Sequence, residues 1–126
     1  MKKFKFISAQ HEQFMVEALS RTKCDHYHQA FFYLLGLTSE TRDHISSLFD
    51  FQRDSIRPDG LNAGWQTSAT TRITRLAFNL WNGYTSSQNY QLYTPEDLFA
   101  CEYALYFMEA LKLRYPEFCH EGYEQI

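Results

Sequence analysis

Cysteine is scarce in this sequence: Cys24, Cys101 and Cys119 are an odd three, and no two stand at a C-x-x-C spacing. Such a set builds neither a disulfide framework nor a zinc ribbon, which leaves buried thiols as its expected role. Long apolar runs are missing as well. No stretch approaches the roughly eighteen consecutive apolar residues of a membrane span, and the opening MKKFKFISAQHEQF has neither the apolar run nor the small-residue cleavage site of a secretory leader. The expected location is therefore the cytoplasm, with no membrane partner. Positive charge is short too: 12 Lys and Arg stand against 15 Asp and Glu, for a formal net charge of −3 and a pI near 5.9. A general binder of nucleic acid or of membrane surfaces needs a basic face, so direct nucleic-acid binding is disfavoured, although a local basic patch is compatible with these totals. Phosphate loops, Rossmann glycine patterns, G-x-S-x-G and H-E-x-x-H are all absent, so no catalytic residue and no cofactor is legible.

What the chain has in excess is aromatic. Eleven Phe, nine Tyr and two Trp make up 17% of 126 residues. A chain of this length is one domain that buries roughly two thirds of its unfolded surface in a single core. Residues 1–126 are accordingly read as a single helical domain. Each aromatic buries roughly 150–250 Å², and Tyr84, Tyr90, Tyr93, Tyr103, Tyr106 and Phe107 are more than one small core needs. They predict a self-association surface, hence a homo-oligomer.

The periodicities are helical. The alternation in KKFKF leaves room for a short N-terminal β-strand, but Ser8 is then placed as an N-cap, and Ile7, His11, Phe14, Met15, Ala18 and Leu19 recur at helical spacing. Asp25 caps a second helix, HYHQAFFYLLGL, apolar nearly all round and ended by Gly36 in the left-handed conformation. A third, of about ten residues, follows Thr38 or Ser39 and carries Ile45, Leu48 and Phe49. Pro58, Asp59, Gly60, Asn62 and Gly64 form a loop before a fourth helix that ends at Asn82-Gly83. Thr94, Pro95, Glu96 and Asp97 open the last, TPEDLFACEYALYFMEALKLRYP, which Pro116 stops; its apolar character nominates it for the centre of the bundle. The fold class is all-α, a compact bundle of about five helices.

The most informative stretch is GWQTSATTRITRLAFNLWNGY. On a helix, Ala69, Ile73, Leu76, Ala77 and Leu80 form a stripe about 100° wide for the core. Ser68, Thr71, Arg72, Arg75, Asn79 and Asn82 share the opposite face, with no carboxylate among them. An ordinary solvated face mixes signs at i,i+4. The unpaired N–H groups of the first turn favour an anion, Arg72 and Arg75 offer bidentate donors, and Trp65 just before the cap offers a stacking surface. Trp65, Gln66, Ser68, Thr71, Arg72, Arg75 and Asn79 are thus the candidate ligand-binding set for an anionic, nucleotide-like molecule. The bland alternative is that the hydroxyls are caps, the tryptophans are core, and Arg72 and Arg75 pair with Asp50, Asp54 or Asp59.

Other constellations are weaker. CDHYH gathers Cys24, Asp25, His26 and His28, but a helix turns the two histidines about 200° apart, so no metal site is expected. The neighbours His11-Glu12, Asp43-His44 and Cys119-His120 diverge on any helix and make no catalytic dyad by themselves.

RPDGLNAGWQTSATTRITRLAFNLWNGY together with SAQHEQF resembles a domain of unknown function found in small proteins of Gram-positive bacteria and their phages or mobile elements. The resemblance covers most of the chain and carries no residue roles. It implies a context in which small single-domain proteins act by binding, sequestering a defence signal or inhibiting a host complex. The favoured expectation is a non-catalytic binder of an anionic small molecule. The alternative is a protein–protein inhibitor or regulatory module acting on a host defence complex such as a nuclease.

Overall fold

The computed structural model describes residues 4–119. In chain order these form α1 (Ala9–Arg21), α2 (His26–Leu35), α3 (Ser39–Asp43), a 3₁₀ turn (Ile45–Ser47), strands β1 (Phe49–Asp50) and β2 (Ser55–Ile56), a second 3₁₀ turn (Pro58–Asn62), α4 (Ser68–Asn82), a third 3₁₀ turn (Tyr90–Tyr93), α5 (Pro95–Leu98) and α6 (Ala104–Arg114). The described residues are an all-α bundle in which α1, α2, α4 and α6 are the long members.

Helix starts fall where the sequence supplies an oxygen. Ser8, Asp25, Thr38, Thr67 and Thr94 each accept a hydrogen bond from the backbone N–H three residues on, satisfying a donor that the first turn leaves unpaired. At α4 the cap is reciprocal, because Thr70 Oγ1 also receives the Thr67 N–H. Gly83 ends that helix in the left-handed region at φ 79°. Gly36 does not behave as expected: it stays right-handed at φ −84°. A Cβ there would lie 2.8 Å from His11 Cδ2 and 3.0 Å from Phe14 Cδ2. Glycine at this position serves the close approach of α1, not an unusual backbone.

The centre of the bundle is α2, not the last helix. Its residues His28, Ala30 and Phe31–Leu35 are buried, and it packs against α1, α4 and α6. The expected last helix is interrupted after α5. Phe99 and Phe107 meet edge to face at 5.5 Å, whereas the same eight-residue separation along an unbroken helix would be about 12 Å. Breaking the helix lets Phe99 fold back onto the core and leaves Leu105 and Met108 of α6 exposed.

Two further elements depart from expectation. The third helix ends at Asp43, where His44 Nδ1 bonds the Glu40 carbonyl and Ser47 Oγ donates to the His44 carbonyl, side-chain bonds that compete with helix continuation. Phe49 then enters the antiparallel pair Phe49↔Ile56 and Asp50↔Ser55. Its ring lies within 5.1–5.4 Å of Phe31, Phe32, Phe51 and Trp81. Phe4–Phe6, where the alternation left room for a strand, carries none, and Lys2 and Lys3 lie outside the described residues. The alternation instead lays Phe4 and Phe6 against the core, with no strand alongside. Tyr33 Oη donates to the Lys5 carbonyl, and the Ile7 N–H donates to His11 Nδ1. His11 is fully buried and its Nε2 donates to the Tyr33 carbonyl at 2.7 Å. Burial, aided by the Arg42 charge and opposed by that carbonyl bond, holds this imidazole below its ordinary pKa.

Candidate functional site

The polar face of α4 is not open to solvent along its length. After Gly83 the chain returns across it through Tyr84–Asp97, and three of the candidate residues meet that segment. Arg72 Nε donates to the Asp97 carbonyl at 2.8 Å and lies 3.6 Å from the Asp97 carboxylate. Asn79 Nδ2 donates to the Tyr84 carbonyl at 3.2 Å. Arg75, between them on the helix, borders a cleft of about 100 Å³ with Tyr84, Ser86, Asn89 and Tyr93 on one side and Leu61 and Asn62 on another.

The other candidates point elsewhere. Trp65 lies flat on His44, ring centres 4.5 Å apart and planes 10° from parallel. Gln66 has its amide committed: Nε2 donates to the Gly60 carbonyl at 3.0 Å and Oε1 accepts from Thr70 at 2.7 Å. Ser68 is exposed, and its carbonyl accepts from Arg72 Nη1. Thr71 Oγ1 turns back to the Thr67 carbonyl. Of the seven, the structure places Arg75 in the cleft wall and Asn79 behind it, where it holds Tyr84 in position.

The expected ion-pair alternatives are also redistributed. Asp50 pairs with Arg57 at 3.4 Å, Asp54 with His28 at 2.8 Å, and Arg72 with Asp97. Arg72 borders its own open hollow of about 450 Å³, but Glu96 and Asp97 line it as well and oppose an anion there. No carboxylate among the described residues comes within ion-pair distance of Arg75.

Tyr84, Ser86, Asn89 and Tyr93 come from a polar run, NGYTSSQNYQLY, whose lack of periodicity hid its relation to α4, and Pro58, Leu61 and Asn62 come from the turn before that helix. Tyr84 packs its edge on Phe78 at 5.8 Å and meets Tyr93 at 6.3 Å. Burial pushes the Tyr93 phenol up, with Tyr84 reinforcing and Arg75 opposing, so at neutral pH it stands in the cleft as a neutral hydroxyl. Arg75, the Asn62 and Asn89 amides and the Ser86 hydroxyl can all present donors. That chemistry suits a compact anion.

The tyrosines expected on a self-association surface divide. Tyr90 is exposed, Tyr84, Tyr93, Tyr103 and Tyr106 are half-buried, and Phe107 is fully in the core because the break before α6 turns it inward. The cysteines are not the buried thiols expected: Cys24 is exposed, Cys101 and Cys119 are half-buried, and all three are free. His28 is tied to Asp25 and Asp54 by its two ring nitrogens, and no group of His, Cys, Asp or Glu side chains among the described residues is arranged to hold a metal ion. His120, paired in sequence with Cys119, lies outside them. No described helix is long and apolar enough to cross a membrane.

Residues 1–125 match the family of unknown function DUF6075, and the chain belongs to that family. No curated protein and no solved structure matches it.

Proposed function

We propose that this protein is a non-catalytic binding protein whose ligand presents one anionic group to Arg75. The observation that carries this reading is an arginine without a carboxylate partner among the described residues, facing a cleft of donors. At about 100 Å³ the cleft holds roughly three water volumes, well below the 300 Å³ or more of a pocket that engulfs a drug-sized molecule. It takes the phosphate or carboxylate end of a nucleotide-like molecule and leaves the remainder outside. The resemblance to small proteins of Gram-positive bacteria and their mobile elements supports a cytoplasmic role in sequestering or sensing a defence signal.

The second reading, an inhibitor or regulatory module acting on a host protein, draws on exposed apolar side chains. Val16, Leu105, Met108 and Phe118 are 62%, 58%, 50% and 80% exposed. Leu105 and Met108 lie one turn apart on α6, and an exposed apolar pair of this kind serves a protein partner, self-association included.

Native mass spectrometry of protein purified from its own host's lysate separates the two. Extra mass of a few hundred daltons, present in the wild type and absent from Arg75→Gln, is the expected result. A clean mass for both, with a host protein co-purifying, overturns the small-ligand reading in favour of the second.

A further inference from the structure

A second cleft, sharing no lining residue with the first, opens where α1, α3 and the hairpin meet. Its volume is about 180 Å³, and half-buried Phe14, Ile45 and Phe51 line it. Phe51 is stacked on Phe32 at 5.7 Å with planes 6° apart, and Phe14 meets the same ring edge-on, so this apolar floor is anchored in the core. Two guanidiniums stand over it. Arg21, the last residue of α1, lies 3.9 Å from the centre of the Phe51 ring. Arg42 is held from the other side by donating Nη1 to the Gly36 carbonyl at 2.8 Å, which leaves its other N–H groups for a ligand.

Neither arginine has a carboxylate within ion-pair distance among the described residues, although Glu17 also lines the cleft. Two positive groups and one negative leave a single net positive charge over an apolar floor. The complement is one negative charge on a small apolar body. The volume corresponds to roughly six water molecules, enough for one large side chain and too little for an extended acyl chain.

We propose that this cleft receives the C-terminal end of a partner peptide, its apolar last side chain on the Phe14, Ile45 and Phe51 floor and its free carboxylate between Arg21 and Arg42. Arginine suits that task because its planar fork matches a carboxylate bidentately, and the apolar floor strengthens the interaction by excluding water. This site is independent of the Arg75 cleft and stands whether or not that cleft binds an anion.

The test uses the whole protein and a fluorescein-labelled Gly-Ser-Gly-Ser-Leu peptide, with either a free or an amidated C-terminus, followed by fluorescence anisotropy. The acid form is expected to bind saturably, and amidation to weaken it roughly tenfold or more. Arg21→Gln changes an exposed helix end, so it keeps the fold, which circular dichroism checks, and should weaken the acid peptide to a similar degree. Arg42→Lys keeps the charge but loses the fork, and is expected to weaken it less than Arg21→Gln does. Equal binding of acid and amide peptides overturns the proposal, as does the absence of saturable binding by the acid form. Tighter binding of octanoate than of the peptide overturns the peptide assignment in favour of a free amphiphile.

Discussion

The Nε2 of His28 bonds Asp54 Oδ1 at 2.8 Å, joining the first turn of α2 to the hairpin tip across 26 positions of chain. On the opposite edge of the same buried ring, Nδ1 bonds Asp25 Oδ1 at 2.7 Å, and Trp81 of α4 stands edge-on at 4.7 Å.

Asp54 is also the one described residue other than glycine with positive φ, at 55°. Asn tolerates that backbone as well as Asp does, so Asp54→Asn isolates the carboxylate. Because Asp54 is 39% exposed, the expected loss is modest, about 1–2 kcal/mol in urea unfolding. Asp54→Gly removes the acceptor altogether and relieves the backbone by roughly 1 kcal/mol, so its loss measures the whole bond less that relief. An Asn variant as stable as the wild type would show that the bond to His28 does not need the charge, because the amide oxygen still accepts.

Glycine substitutions should rank by crowding. At Gly60 a Cβ would lie 2.3 Å from the Ser47 carbonyl oxygen, a backbone atom that cannot step aside, so Gly60→Ala is expected to cost about 3 kcal/mol or more. Gly36→Ala meets side-chain carbons of His11 and Phe14 and should cost about 1–3 kcal/mol. Gly64 has nothing within 4 Å and no positive φ, so Gly64→Ala should be neutral or gain up to about 1 kcal/mol. Thermal melts of the three variants test the order.

His11 gives the fold an acid-side weakness. Its native pKa lies below the ordinary 6.5, so the unfolded chain takes up its proton first as pH falls. The stability that neutral His11 contributes is therefore complete well above pH 6.5 and drains away below it. Urea midpoints of the wild type should drop between pH 7.5 and 5.5 by more than those of His11→Gln. Parallel curves for the two proteins would assign the acid loss to other groups.

Arg72 and Arg75, one turn apart, should answer differently to the same substitution. Arg72→Gln breaks the tie to Asp97 and is expected to lower stability by about 1 kcal/mol. Arg75→Gln is expected to stay within about 0.5 kcal/mol of the wild type, because no described ion pair depends on it. Equal losses in denaturant titrations would make Arg75 a structural residue.

The parts of this fold legible in the sequence are those written in local chemistry. Ser8, Asp25 and Thr94 are caps because an oxygen before an apolar periodic run has an N–H three residues on to accept from, and Gly83 ends α4 because the backbone there is left-handed. What local pattern could not convey was long-range contact. Nothing within TPEDLFACEY distinguishes an unbroken helix from one that stops to return Phe99 to Phe107, and two-residue strands such as Phe49–Asp50 carry no period. Gly36 looked like a turn residue because its true reason, the rings of α1, lies more than twenty positions away.

The candidate site divides along the same line. That Arg72, Arg75 and Asn79 share a face follows from helical spacing alone. Which of them the returning segment would occupy depended on Tyr84 and Asp97, whose positions no spacing rule supplies.

Because α2 is enclosed by α1, α4 and α6, its apolar run Phe31–Leu35 is made early in synthesis but covered late. While the ribosome is still producing residues before Ala104, one side of that run has no protein to lie against. A transcript cut short there would yield no smaller working version of the protein, but a sticky fragment for proteases and chaperones to clear.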